Sequence, residues 1–173
     1  MEISKFNMNR IFSFPNPVNE YAARSVASMV VVLAIATFIF NSIWLAGFLA
    51  YGFIARVVTG PTFSPMGQLA TRIIAPKILK RTKFVPGPPK RFAQFIGLIF
   101  SVSIFLCILI FQNNNSQTFL VYSRVLLGVL ISFAFLEAAI PFCFGCFVFR
   151  YLMKWGIIPN SVCEACVINT SED

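Results

Sequence analysis

Histidine is missing from the chain, which has 173 residues. Its absence excludes histidine-based acid–base catalysis, histidine metal ligands and the Ser–His and Cys–His nucleophile pairs. Acidic residues are also scarce, with 6 Asp and Glu against 14 Lys and Arg, and charged residues of all kinds make up only 12% of the chain. That is about half the share found in a typical soluble protein. A soluble globule of this size needs more polar surface than this chain can supply.

Apolar residues take the place of the missing charges, at 58% of the chain with 21 Phe. This composition excludes intrinsic disorder, because disordered chains are poor in apolar and aromatic residues. It predicts a single integral-membrane domain over residues 1–173, embedded in a lipid bilayer. The net charge of +8 does not indicate a nucleic-acid partner here, since the basic residues flank apolar runs as membrane topology requires.

Four apolar runs predict an all-α membrane protein with four transmembrane helices. The runs cover about 22–40, 43–58, 92–111 and 119–140. The first two are short for a hydrocarbon core of about 30 Å, so a re-entrant hairpin over 22–58 is an open alternative. Pro141 lacks a backbone N–H, and this predicts a kink or a break after the fourth run.

Basic residues collect between Arg56 and Arg91 and near both ends, whereas the turns at 41–42 and 112–118 are uncharged. The positive-inside rule then places both termini and the central segment in the cytoplasm.

Apolar residues between Met66 and Leu79 recur at helical spacing, which predicts a cytoplasmic-side interfacial helix. Pro86–Pro89 predicts a stiff, extended lead into the third span. The predicted parts are a cytoplasmic arm (1–21), a helical hairpin (22–58), a basic interfacial segment (59–91), a second helical hairpin (92–155) and a cysteine-containing tail (156–173).

Four of the five cysteines form two C-x-x-C pairs, Cys143 with Cys146 and Cys163 with Cys166. Neighbouring thiols suit thiol–disulfide exchange, because one sulfur attacks a partner and the other resolves the mixed disulfide. Cys143 and Cys146 are then the candidate reactive pair, Cys163 and Cys166 the exchange partners. Arg150, on the same helical stripe, is the candidate that stabilises the thiolate.

The same four cysteines also have the spacing of a zinc ribbon. Four thiolates satisfy a tetrahedral structural zinc ion, so Cys143, Cys146, Cys163 and Cys166 form the alternative metal site. Zinc is the one cofactor that the sequence suggests. A third interpretation is that the first pair packs as small apolar residues. In either of the first two cases, we expect the tail to fold back and bring the second pair close to the first.

Two ionisable residues, Arg124 and Glu137, lie within the fourth apolar run. Such residues are functional candidates because their burial is expensive. Arg124 is near enough to the start of the run to reach the membrane surface. We expect Glu137 to cap the break at Pro141, to pair with a basic residue of the central segment, or to relay a proton to the thiols.

Several motifs along the chain together resemble those of a known family. They are Val18–Glu20 with Arg24, Ser64–Pro65 with Pro76, Gly87–Gln94 with Gly97, Phe142–Cys146, and Gly156–Pro159 with Cys163–Cys166. Together they resemble the bacterial integral-membrane family catalogued as domain of unknown function 4395. The resemblance implies a compact four-span protein of the bacterial inner membrane. It also implies a cytoplasmic thioredoxin-like or sulfurtransferase partner, since such proteins accompany some members.

The leading functional hypothesis is thiol-redox or sulfur-handling chemistry at the cytoplasmic side, and whether the protein is an enzyme is left open. One alternative is a transporter or channel for a small anion such as a sulfur oxyanion, with Arg124 lining the path. Another is a membrane scaffold with a structural zinc site. The sequence names no substrate and no oligomeric state.

Overall fold

Helices account for most of the chain that the structure describes. The computed structural model describes residues 16–79, 83–159 and 162–163. The helices are α1 (Glu20–Phe40), α2 (Ile43–Thr59), α3 (Pro65–Leu69), a π-helix (Ala70–Leu79), α4 (Gly87–Asn114), α5 (Gln117–Ala139) and α6 (Phe144–Lys154). Two short strands, β1 (Val18–Asn19) and β2 (Phe84–Val85), pair antiparallel just before α1 and α4. The all-α expectation therefore fits, with this small strand pair as an addition.

Asparagine residues in the left-handed conformation end α1 and α4. Asn41 has a φ of 47° and Asn115 a φ of 52°. Their backbone N–H groups donate to the carbonyl oxygens of Thr37 and Phe111, respectively. Asparagine tolerates this backbone conformation better than most residues, and it satisfies a carbonyl that the helix end leaves free. The turn predicted at Asn41–Ser42 is present.

Three helices, α1, α4 and α5, are long and apolar enough to cross a membrane. The fourth apolar helix, α2, has 17 residues and is about 26 Å long at 1.5 Å per residue. A multi-pass membrane protein is therefore supported, with three candidate spans and one shorter apolar helix.

Alanines lie at several contacts between helices beside larger buried residues such as Leu49, while many large apolar side chains face outward. Ala34 and Ala46 are fully buried, whereas Trp44 is 85% exposed and Phe40 71% exposed. Helices associate in a bilayer through such close small-residue contacts, because lipid offers large apolar side chains a favourable environment. The helices pack in a ring, α1 on α5, α5 on α4, α4 on α2 and α2 on α1.

The expected extended lead at Pro86–Pro89 is wrong. Helix α4 begins at Gly87, and its prolines lie in the first turn. The first turn suits proline, because its backbone N–H groups have no partner within the helix and the fixed φ is already helical. As a result, Lys90 is a helical residue at the start of α4 and is buried against the bundle.

The central segment forms two helical pieces. The α-helix α3 passes directly into the π-helix, which continues through Pro76. Met66, Ala70 and Ala75 are buried in the main core, whereas Leu69 and Ile73 are 42% and 43% exposed. The helix therefore packs against α1 with one face and leaves apolar residues on another.

Candidate thiol site

The break after α5 places a cysteine at the start of a new helix. Helix α5 ends at Ala139, and α6 begins at Phe144, after Pro141 has interrupted the chain. Cys143 is the N-cap of α6, and its Sγ accepts a hydrogen bond from the backbone N–H of Cys146 at 3.3 Å. The first N–H groups of a helix have no partner within it and carry partial positive charge, so they favour a thiolate at this position.

Arg24 of α1 binds the C-terminal end of α5, on the other side of the break from Cys143. Its Nε and Nη2 donate to the carbonyl oxygen of Ala138 at 3.1 and 2.9 Å, and Nη2 also donates to that of Ala139 at 3.2 Å. These carbonyls are at the end of α5, where further helical N–H donors are missing. From the sequence alone, Arg24 is a basic residue near the N-terminus and part of a motif, and this role is not visible.

Gly145 lets α6 approach α4 closely. A Cβ built on Gly145 would lie 2.5 Å from Ala93 Cα and 2.6 Å from Ala93 Cβ. Only glycine fits such an approach of two backbones. Lys90 lies one turn before Ala93 on α4, so the contact brings the cysteine pair beside the start of that helix.

Lys90 forms a buried ion pair with Glu137 beside the cysteine pair. Its Nζ lies 2.6 Å from Glu137 Oε1, and the two side chains are only 10% and 18% exposed. Of the three roles expected for Glu137, the structure shows the ion pair with a basic residue of the central segment. The proton-relay role stays a prediction. In the sequence, Lys90 is one of several basic residues of the central segment, and its position in the Pro-Pro-Lys-Arg stretch just before a long apolar run is the signal that marks it.

The two thiols are electrostatically unequal. The hydrogen bond from the Cys146 thiol lowers the pKa of Cys143, and although burial and Glu137 oppose this shift, the Lys90 ammonium and the Cys146 backbone N–H add to it. The same hydrogen bond, together with burial, raises the pKa of Cys146. Cys143 is therefore the thiol that forms a thiolate first, and Cys146 is the one that keeps its proton.

A cavity of about 340 Å³ is lined by residues that include Cys143 and Cys146. Lys90, Arg150 and Glu20 also line it. Arg150 is exposed, and its role as thiolate stabiliser stays a prediction, whereas Lys90 is the cation that acts on the pKa of Cys143. A small thiol or disulfide group would fit beside the pair.

The tail returns to α6 as far as Cys163, while the expected approach of the second cysteine pair to the first stays a prediction. Cys163 is buried and packs with Phe149 and Met153 in a small cluster that also includes Phe92 of α4. Cys163 is disulfide-bonded, while Cys107, Cys143 and Cys146 are free.

The exchange and zinc hypotheses for the second pair stay predictions. Cys166 lies outside the described residues. Among the residues that the structure describes, no group of three or more Cys, Asp or Glu could hold a metal ion. A sulfur engaged in a disulfide is not the thiolate that zinc needs.

Arg124, the residue expected to line an anion path, lies on the outer surface of α5. It is exposed, and its guanidinium lies 5.8 Å from the ring centroid of Phe38. Its expected reach towards the membrane surface stays a prediction.

Residues 18–154 match the family described as Domain of unknown function (DUF4395). The chain belongs to the DUF4395 family. The match covers every residue of the site from Glu20 to Arg150, so the DUF4395 unit includes the first cysteine pair. Cys163 and Cys166 lie beyond it. No curated protein and no solved structure matches the chain.

Proposed function

We propose that this DUF4395 protein carries out thiol–disulfide exchange or related sulfur handling through Cys143 and Cys146. The observation that carries the proposal is the pair's position at the start of α6, with the Cys143 sulfur accepting the Cys146 N–H bond and the buried Lys90–Glu137 ion pair beside it. Helix N-termini and nearby cations are the two features that make a cysteine reactive.

The proposed exchange reduces a partner disulfide. The Cys143 thiolate attacks one sulfur of the partner, forming a mixed disulfide and releasing the partner's second sulfur as a thiolate, which takes a proton from water. Cys146 then gives its proton to solvent and attacks the Cys143 sulfur, releasing the partner's first sulfur as a thiolate. Two electrons pass from the cysteine pair to the partner, and the pair becomes a disulfide. A dithiol protein of thioredoxin-like type would return the pair to the thiol state and become a disulfide itself, whereas a sulfurtransferase-type partner belongs to the related sulfur handling.

A bilayer orientation with both termini in the cytoplasm completes the proposal. α1, α2, α4 and α5 would cross the bacterial inner membrane, and α3 with the π-helix would lie at the cytoplasmic interface. The support is the basic character of the residues between Arg56 and Arg91 and the lack of charge in the turns at 41–42 and 112–118. The thiol site then faces a reducing compartment, which keeps Cys143 and Cys146 available for exchange, and there the disulfide of Cys163 would be of the transient, exchanging kind.

Cysteine scanning in intact cells tests this orientation. A Ser116→Cys variant is expected to react with an impermeant maleimide added outside the inner membrane, because Ser116 begins α5 at the uncharged end. The matched control is Thr62→Cys, at the basic end, which should react only after the membrane is opened. Labelling of Ser116→Cys from the cytoplasmic side alone would overturn the topology.

Glutathione disulfide serves as the probe for the exchange step, with intact mass spectrometry as the readout. The wild-type protein is expected to end with an internal disulfide and little bound glutathione. Cys146→Ser should accumulate glutathione on Cys143, because serine keeps a hydrogen-bond donor but cannot resolve the mixed disulfide. Cys143→Ser should form neither product at this pair. Equal glutathione binding in both serine variants would contradict the assigned roles.

A further inference from the structure

A buried arginine near the thiol site has no hydrogen-bond partner within the described residues. Arg56, in the last turn of α2, is only 4% exposed. Its Nε, Nη1 and Nη2 are all buried and unpaired. A guanidinium has five N–H donors, and leaving them unpaired in a water-poor interior is costly. Such a group is retained in a membrane protein when it serves a ligand or a pathway.

Neighbouring side chains do not neutralise Arg56. The nearby carboxylate that acts on it electrostatically is Glu137, but the hydrogen bond of Glu137 goes to Lys90 at 2.6 Å. The close contact of the guanidinium is with the Phe53 ring, whose centroid is 4.3 Å away. A ring face attracts a cation but does not satisfy its N–H donors. The cluster of Arg56, Lys90 and Glu137 therefore carries an excess of one positive charge.

Arg56 lines a cavity of about 260 Å³ between α1, α2, α4 and the central segment. The polar side chains that share this cavity include Asn19, Thr71, Lys90 and Gln94. Gln94 Oε1 is also buried without a hydrogen-bond partner. The cavity thus combines two cations with two side-chain amides, whose N–H groups can donate to an oxyanion. The Thr71 hydroxyl already donates to the carbonyl oxygen of Gly67, and Gln94 can offer an anion only its amide N–H groups.

We propose that Arg56, Lys90 and Gln94 form a binding site for a small oxyanion, such as a sulfate, phosphate or carboxylate group. The planar fork of Arg56 would hold two oxygens of the anion, and Lys90 would contribute charge from the other side while remaining paired with Glu137. The proposal goes beyond the thiol function, because it requires neither cysteine. Arg56 also borders a smaller cavity of about 70 Å³ together with Glu137 and Cys143, so an anion held here lies next to the thiol site.

Thermal unfolding of the protein in an uncharged detergent tests the site, with sodium sulfate as the first probe. Sulfate is expected to raise the unfolding midpoint by about 3 °C or more relative to sodium chloride at equal ionic strength, since a ligand of the folded state stabilises it. A parallel series with micelles containing phosphatidylglycerol distinguishes a lipid headgroup from a free ion as the source of the oxyanion. A shift in either series that depends on Arg56 supports the site.

Arg56→Met should remove the shift, and without sulfate its unfolding midpoint should equal or exceed that of the wild type, because an unpaired buried cation has been removed. Arg124→Met is the matched control, since Arg124 also lies over a phenylalanine ring but on the outer surface. It should keep the full shift. If Arg56→Met does not fold, Arg56→Lys replaces it and should reduce the shift severalfold, because lysine lacks the bidentate fork.

A wild-type protein that responds to neither probe, or a shift that persists in the Arg56 variants, would overturn the site. The readout does not use the thiols. Unreactive cysteines with a clear sulfate response would therefore reject the exchange chemistry alone, and the reverse result would reject the anion site alone.

Discussion

Replacement of Lys90 by methionine is expected to slow alkylation of Cys143 at neutral pH, because the pKa of Cys143 rises and a smaller fraction of it is thiolate. The Lys90 ammonium is one of the groups that lower the pKa of Cys143. The hydrogen bonds from Cys146 remain in the variant, so part of the lowering should survive. Iodoacetamide labelling followed by peptide mass spectrometry measures the rate.

The pH dependence of the alkylation rate shows directly whether a variant raises or lowers the pKa of Cys143. Alkylation requires the thiolate, so the rate rises with pH and levels off above the pKa of Cys143. In the wild type the half-maximal rate should fall below pH 9.0, the ordinary value for a thiol. In Lys90→Met the midpoint should move upward. Arg91→Met is the control, because Arg91 is an exposed neighbour, and it should leave the profile unchanged.

Lys90→Met should also lower the free energy of unfolding, by about 3–5 kcal/mol, because it leaves the Glu137 carboxylate buried without its partner. The double variant Lys90→Met/Glu137→Leu should recover most of this stability, since two apolar side chains can replace a buried ion pair at little cost. A Lys90→Met protein that is labelled at the wild-type rate would show that the cation does not act on Cys143.

Helix positions were predictable from the sequence because their signals are local. Apolar runs bounded by Asn41–Ser42 and by Pro141 indicate where helices end, and α1, α2 and α5 lie within a few residues of the predicted spans. The start of α4 was misjudged because Pro88 and Pro89 suit both an extended segment and the first turn of a helix. Packing against the bundle, which the sequence does not show, decides between these two conformations.

The cysteine pair was predictable from its spacing, but its electrostatic setting was not. Lys90 and Glu137 are 47 positions apart, and neither residue type nor periodicity identifies such a pair. Arg24 and Arg56 were counted as topology-setting charges, yet Arg24 binds the carbonyl oxygens of Ala138 and Ala139. These roles depend on which helices touch, so only the tertiary structure shows them.

Substitution of Gly145 by alanine is expected to have the second large effect, because α6 and α4 pack closely there. A Gly145→Ala change places a Cβ 2.5 Å from the Cα of Ala93, which is far too close for two atoms that are not bonded to each other. Helix α6 must therefore move away from α4. Overpacking of this kind costs roughly 1–3 kcal/mol. The movement also separates Cys143 from Lys90, and we therefore expect both a lower midpoint of thermal unfolding and slower alkylation of Cys143.

Alanine substitutions at two other glycines serve as controls, because they distinguish an effect on stability from an effect on the reactivity of Cys143. A Cβ on Gly97 would lie 2.2 Å from the Phe53 ring, whereas a Cβ on Gly128 would meet nothing within 4 Å. Gly97→Ala should thus lower stability at the α2–α4 contact with little change in the alkylation rate. Gly128→Ala should be neutral or stabilising by about 0.5–1 kcal/mol, as expected for glycine within a helix. If Gly145→Ala unfolds earlier but reacts at the wild-type rate, as Gly97→Ala should, the glycine serves packing alone. Slower alkylation in Gly145→Ala alone would tie the approach of α6 to the reactivity of Cys143.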